Sequence, residues 1–385
     1  MNLFSRTTRT GRGQDGVLLA DREPSRDNNF SLLRFTAAVM VLLTHCFALV
    51  SGTGDAEPLR KLINMTPGTI AVDIFFILSG YLVTRSWFQR KNPAAYLWAR
   101  IVRIYPGLIV AVFFCVFAVG LWFTTLPAGD YLRAPETYSF LLKNSVVLSG
   151  ISNYLPGVFE NLPYAGVVNG SLWTLPYELK MYLLVPFFLF LVAGICRIRK
   201  KNIPSAGKIL LGLAFFAVAM NLLNRVIPVA SPRFSQLLSM YAVGAACYAW
   251  RGYIRLSLLP CVALLAGAVC CYRHEVLFLA LYTVALPYAV FYLAYVPGGR
   301  IRMFNRLGDY SYGMYIYAFP VQQSVISLVP EITVPGLFYL SFPATLALAV
   351  FSWHCVEKHF LSLKGRYRFL EKLLLRVGIG RQNGG

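Results

Sequence analysis

Ten stretches of this chain are apolar for about the length a helix needs to cross a bilayer. They lie near residues 31–50, 69–87, 104–126, 171–195, 208–226, 236–250, 256–272, 276–296, 308–329 and 336–356. A helix rising 1.5 Å per residue needs ~20 apolar residues to cross a hydrocarbon core ~30 Å thick. The sixth and seventh runs are the shortest. Composition agrees: 57% of residues are hydrophobic and 14% charged, against about 45–50% and 25% in a soluble domain. That excess excludes an ordinary soluble enzyme and a disordered chain. The spacing predicts an all-α, polytopic transmembrane bundle of about ten spans.

Charge sets the expected orientation. The formal balance is +20, from 36 Lys and Arg against 16 Asp and Glu. In a soluble chain this excess would suggest a nucleic-acid partner. In a membrane chain, cations accumulate in the cytoplasmic loops. With the N-terminus inside, 27 cations fall on cytoplasmic segments and 7 on external ones, while Arg34 and Lys180 lie within spans. Both termini are then cytoplasmic, the cations face membrane lipids, and no nucleic acid is required. Residues 139–150 are apolar but only about twelve long. Counting them as a span would place Arg197, Arg199, Lys200 and Lys201 outside, so they are expected to form a short non-spanning helix. The surrounding external loop, about 127–170, carries tyrosines and asparagines suited to sugar hydroxyls. The expected organisation is a basic cytoplasmic segment over 1–29, a membrane domain over 30–356 and a basic amphipathic tail over 357–385. The first apolar run is too long for a signal h-region, so no cleaved leader is expected. Eight cysteines form no CxxC pair and read as inert thiols.

Ionisable residues inside apolar runs are costly and mark candidate functional sites. Arg34 and His45 in the first run are eleven residues apart, about 20° beyond three helical turns, so they share one face ~16 Å apart in height. Asp73, near the opposite end of the antiparallel second run, is expected at the height of His45, where a carboxylate could orient the imidazole. Arg100 and Arg103, at i and i+3, suit a phosphate-bearing ligand. In the fourth run Glu178 is a second buried carboxylate, beside Ser171, Trp173, Tyr177 and Lys180. Each also has a structural reading: snorkelling or positive-inside arginines, a satisfied core histidine, a dipole-favoured aspartate and a Glu–cation pair. Asp309 reads as the cap of the ninth helix. His354 and His359 have no metal spacing, and no HExxH, Walker or GxSxG motif occurs, so no metal is expected.

At these residues the chain resembles the acyltransferase-3 family of bacterial membrane O-acyltransferases. The resemblance is carried, in order, by Arg34 followed by ten residues and His45, by VDIFFILSGYL at 72–82, and by Arg100-x-x-Arg103. It continues through SLWTLPYELKMYLLVP at 171–186 and LGDYSYGMYIYAFPV at 307–321, covering roughly residues 29–360. It implies ten spans in the bacterial cytoplasmic (inner) membrane. It further implies transfer of an acyl group, chiefly acetyl, from cytoplasmic acyl-CoA to a hydroxyl of a carbohydrate or lipid-linked glycan outside. His45, Arg34, the Arg100/Arg103 pair and Glu178 match the family's functional motifs. On this reading His45 is the general base, or carries a covalent acyl group, and Asp73 or Glu178 holds its tautomer. Arg100 and Arg103, with Arg85, bind the CoA phosphates, and Arg34 guides the thioester. Trp173, Tyr177, Ser171 and Tyr164 line the acceptor side. No permanently bound cofactor is expected. Two positions depart from the family pattern: Ala318 stands where many members carry His before Phe-Pro, and Glu357-Lys358-His359 where Glu-x-Pro is common. No external hydrolase-like domain, such as some relatives carry, is expected from these residues. The alternative reading is a secondary transporter or flippase of anionic or polar solutes, which a basic mouth and a buried Arg/His pair would also suit.

Overall fold

The computed structural model describes residues 16–22, 27–90, 92–369 and 371. The expected basic N-terminal segment before Gly16 and the tail beyond Glu371 lie outside the described residues.

Ten helices answer to the ten apolar runs. They are α1 (Phe30–Ser51), α2 (Pro67–Arg90), α3 (Pro93–Phe113), α4 (Leu175–Ile198), α5 (Ala206–Leu223), α6 (Pro232–Ala249), α7 (Leu258–Cys270), α8 (Glu275–Tyr295), α9 (Ser311–Leu328) and α10 (Val334–Ser352). Among the described residues, seven helices are long and apolar enough to cross a membrane. The remaining three are α6, α7 and α9, for two different reasons. In α6 11 of 18 residues are buried, and in α9 13 of 18; helices enclosed by others can carry polar groups that lipid would not tolerate. By contrast, α7 is apolar but has only 13 residues, and of these only Cys261 and Ala268 are buried. The architecture is that of an all-α polytopic membrane protein. Among the described residues, a two-residue antiparallel ladder joins Val17–Leu18 (β1) to Arg255–Leu256 (β2), and isolated bridges pair Thr124 with Val158 and Tyr154 with Val167.

The third helix begins eleven residues earlier than its apolar run. Asn92 Oδ1 accepts from the amides of Ala94 (2.8 Å) and Ala95 (3.2 Å), and Pro93 occupies the first helical position. These are strong N-terminal signals. They place Arg100 and Arg103 well inside α3 rather than at its boundary. A wide π turn, Phe114–Gly120, then carries the helix on to Phe123. The stretch expected as a short non-spanning helix is a twelve-residue helix, Pro135–Val146, starting four residues earlier than its apolar run. The described part of the tail folds against the start of α3, with Trp98 Nε1 donating to the Leu363 carbonyl at 2.8 Å and Asn92 Nδ2 to Glu371 Oε1 at 2.9 Å. All eight cysteines are free, and Cys270 and Cys355 are exposed rather than buried.

The tightest seam joins α2 to α6. A Cβ on Gly80 would stand 2.0 Å from the Tyr241 carbonyl oxygen, and one on Gly244 2.2 Å from that of Ile77. Reciprocal glycines let the two backbones touch, the small-residue device of helix pairs in lipid. This seam fixes the inner face of α2, on which Asp73 lies.

Candidate active site

Two adjoining cavities run along the axes of the central helices. The first is lined by Arg34, Arg100, Arg103 and Glu178, with Ser79, Tyr182 and Tyr312. The second contains His45, Asp73, Trp173, Arg233 and Gln236. Val72 and Tyr315 line both and stand where they meet. Helices α1, α2 and α9 contribute to both chambers, as does α4 with the 3-10 turn before it. Along α1, Arg34 faces the first chamber and His45 the second, as an eleven-residue spacing on one face requires. The antiparallel α2 reverses this order: Thr69 and Asp73 serve the second chamber, Ser79 and Val83 the first. Helix α3 lines only the first chamber and α6 only the second.

The arginine chamber is organised by a carboxylate that the sequence reading assigned elsewhere. Asp309 does not cap α9; that position is Tyr310. Its Oδ2 lies 3.1 Å from Arg34 Nη2 and 2.7 Å from Arg103 Nη2, while Oδ1 accepts from Ser311 Oγ at 2.5 Å. The physical reason is desolvation: two guanidiniums withdrawn from water need a counter-charge more than a helix end needs a cap. Arg100 takes a different role from its neighbour. It lies over the rings of Tyr182 (5.6 Å) and Tyr96 (5.8 Å) and donates to Ser86 Oγ at 3.3 Å. Planar cations stacked on aromatic faces keep their outer N–H groups free for a ligand. Glu178 accepts a short hydrogen bond from the Tyr182 hydroxyl, one turn on. Lys180 is exposed and sits 5.9 Å from the Tyr177 ring, not paired with Glu178. Arg85 lies on α2 but is not among the residues lining this chamber.

The histidine chamber departs from the expected triad. Asp73 is fully buried, yet its Oδ2 accepts from Gln236 Nε2 (2.9 Å) and Tyr282 Oη (2.7 Å), not from His45. Glu178 lies in the other chamber, so neither carboxylate orients the imidazole. The His45 ring instead packs edge-on against Phe319, with centroids 5.1 Å apart, and its Nδ1 is buried without a partner. Tyr282 and Gln236 come from helices α8 and α6, so side chains distant in sequence took the partner expected for His45. Of the residues expected on the acceptor side, Trp173 and Tyr164 line this chamber, whereas Ser171 and Tyr177 do not. Ser171 belongs to the turn itself, where its amide donates to Asn169 Oδ1 at 3.2 Å. Tyr177 packs against Trp173, with centroids 6.0 Å apart. The exposed Arg233 sits 5.2 Å from the Trp173 ring. The turn Gly170–Thr174 reaches the chamber because a Cβ on Gly170 would stand 2.6 Å from the Phe319 ring.

Sequence reasoning missed Asp309 as a counter-ion, and it missed Gln236, Tyr282 and Tyr315. One signal pointed to Asp309: the buried arginines Arg34 and Arg103 require a carboxylate, and Asp309 opens the ninth run within a motif of otherwise uncharged residues. Glu357 was passed over as well. It is buried, and its Oε1 accepts from Ser352 Oγ at 3.0 Å. Among the described residues, no group of three or more His, Cys, Asp or Glu is placed to hold a metal ion.

The profile of the acyltransferase-3 family, an acyltransferase domain, matches residues 27–354. The chain is 29% identical over 359 residues to the O-acetyl transferase of Shigella phage Sf6, covering 88% of this chain and 97% of that one. It is 28% identical over 335 residues to the peptidoglycan O-acetyltransferase OatA of Listeria monocytogenes serovar 1/2a, covering 75% of this chain and 51% of that one. Over 167 residues it is 30% identical to nodulation protein 10 of Rhizobium leguminosarum bv. viciae, 42% of this chain and 44% of that one. The chain thus spans about half the length of the last two relatives. No solved structure gives a significant match.

Proposed function

The chain belongs to the acyltransferase-3 family, and from that premise we propose that this membrane O-acetyltransferase moves an acetyl group from acyl-CoA to a glycan hydroxyl across its two chambers. The reading rests on one observation: an arginine-lined chamber and a histidine chamber adjoin along the same helices.

Acyl-CoA enters the arginine chamber from the cytoplasmic side. Arg100 and Arg103 bind its phosphates, which compete with Asp309 for the guanidinium of Arg103. Arg34 steers the pantetheine arm, the thin part of the donor, past Val72 and Tyr315. The glycan enters the histidine chamber from outside, against Trp173 and Tyr164. His45 removes the proton from the acceptor hydroxyl as its oxygen attacks the thioester carbonyl carbon. The carbon–sulfur bond breaks, and the CoA thiolate leaves with the proton that His45 received. A thioester is exchanged for an oxygen ester, and no oxidant or metal enters the balance. General base catalysis of this kind contributes typically 10²–10⁴-fold. The two cation-rich ends of the chain and the relatives in Shigella phage, Listeria and Rhizobium support a place in the bacterial cytoplasmic membrane.

The test supplies labelled acetyl-CoA to inverted membrane vesicles that carry the protein and its native glycan. Wild-type protein transfers label to glycan, and His45→Ala, at equal protein level, lowers transfer by about 10²-fold or more. Undiminished transfer by His45→Ala overturns the role of His45. Label that never reaches glycan overturns the acyltransfer reading and favours a transporter.

A further inference from the structure

Three polar atoms in the histidine chamber are buried and have no hydrogen-bond partner among the described residues. They are His45 Nδ1, Asp73 Oδ1 and Asn153 Oδ1, and all three residues line the same cavity. Buried polar atoms in folded proteins are nearly always bonded, so three residues around one cavity, each with an unpaired polar atom, mark a place for a ligand. Two of the three are oxygens that only accept. An acceptor-only set is satisfied by a ligand that donates, and a sugar donates from every free hydroxyl.

Asp73 is built for this role. Gln236 and Tyr282 both hold Oδ2, at 2.9 and 2.7 Å, which fixes the carboxyl plane and leaves Oδ1 without a partner. A carboxyl group already held by two donors has its geometry set before the ligand arrives. Asn153 comes from the segment before α4, where its backbone carbonyl accepts from the Val168 amide at 2.8 Å. That bond fixes the main chain from which its side chain projects.

We propose that Asp73 Oδ1 and Asn153 Oδ1 form the acceptor-recognition subsite, each taking a hydrogen bond from a free hydroxyl of the same sugar whose third hydroxyl faces His45. Asp73 is thereby a specificity-determining residue rather than the orienter of the imidazole. The substrate class is a sugar unit with several unmodified hydroxyls, and a unit already acylated or deoxygenated at those positions is refused. This inference rests on the acyltransfer reading above.

The experiment measures how acetyl groups partition between glycan and water. Labelled acetyl-CoA is given to inverted vesicles bearing the native glycan, and label in glycan is compared with acetate released to water. Asp73→Asn and Asn153→Ala are each expected to raise the water-to-glycan ratio by about tenfold, the equivalent of one well-made hydrogen bond. Gln236→Leu, which frees the carboxylate to turn, raises it less. Loss of fold, or loss of an imidazole-orienting contact, lowers both products together and leaves the ratio unchanged. An unchanged ratio in both Asp73→Asn and Asn153→Ala overturns the subsite. Should Asp73→Asn not accumulate in the membrane, Asn153→Ala carries the test alone. Absence of glycan label in the wild type overturns the acyltransfer reading itself, a failure distinct from an unchanged ratio.

Discussion

Asp309 shows how one carboxylate can set the geometry of two cations. Arg34 from α1 and Arg103 from α3 meet on the same oxygen, at 3.1 and 2.7 Å. Side chains at all three positions are largely withdrawn from water, with relative exposures of 24%, 22% and 11% for Arg34, Arg103 and Asp309. Removing the shared partner leaves two like charges facing each other in a poor solvent. Breaking a buried pair in this way costs about 3–5 kcal/mol; discounted for the remaining exposure of the arginines, Asp309→Ala is expected to cost about 2–3 kcal/mol. The measurement is the thermal midpoint in mild detergent. A double-mutant cycle sharpens it: adding Arg34→Ala to Asp309→Ala should recover part of the loss, because one of the two repelling cations is gone. Strict additivity of the two substitutions would refute the coupling.

At the scale of elements, the α2–α6 seam carries the sharpest expectation. Gly80→Ala or Gly244→Ala places a methyl within about 2 Å of a backbone carbonyl that cannot move without its helix. Overpacking of this kind costs about 1–3 kcal/mol, and it bears on the helices that hold Asp73 and Gln236. Gly194 and Gly267 also lie within helices, with nothing near a Cβ. Alanine there should be neutral or stabilising, by up to about 1 kcal/mol from helix propensity. Thermal midpoints of the four variants check the contrast, and equal losses in all of them would refute it. Helices of this kind were legible in the sequence because apolar length is a local property. The start of α3 was not, since Asn92-Pro93 lies outside the apolar run and only its capping geometry reveals it. The site was legible in part for the same reason. Arg34 and His45 share a helix, and 3.6-residue periodicity puts them on one face. Asp73, by contrast, was assigned by height alone. Its partners Gln236 and Tyr282 lie 163 and 209 residues away, and no local pattern encodes that contact. Tyr315 reads as one tyrosine among several in α9 until its neighbours show it standing between two chambers.

For the whole molecule, the placement of polar groups explains the composition. The arginines, carboxyl groups and histidine of the candidate site line the two chambers, while α4, α5 and α7 present leucine, valine and phenylalanine outward. The outer wall is uneven in height, and α7 is its low point. Thirteen residues rise about 20 Å, some 10 Å less than a typical hydrocarbon core. Since only Cys261 and Ala268 turn inward, α7 cannot hide this deficit among neighbours. If α7 crosses the bilayer, lipids beside it thin, or polar ends of the helix are drawn into the acyl region, at fractions of a kcal/mol per Å of mismatch. A spanning α7 would give the protein a preference for thin bilayers. Reconstituted in bilayers of fourteen-carbon acyl chains, it should unfold at a higher temperature than in eighteen-carbon ones, and lengthening α7 by one apolar turn should reverse that order. A membrane that thickens as it ages or stiffens would then bear first on the corner of the bundle formed by α7 and α8, the helix that supplies Tyr282 to Asp73.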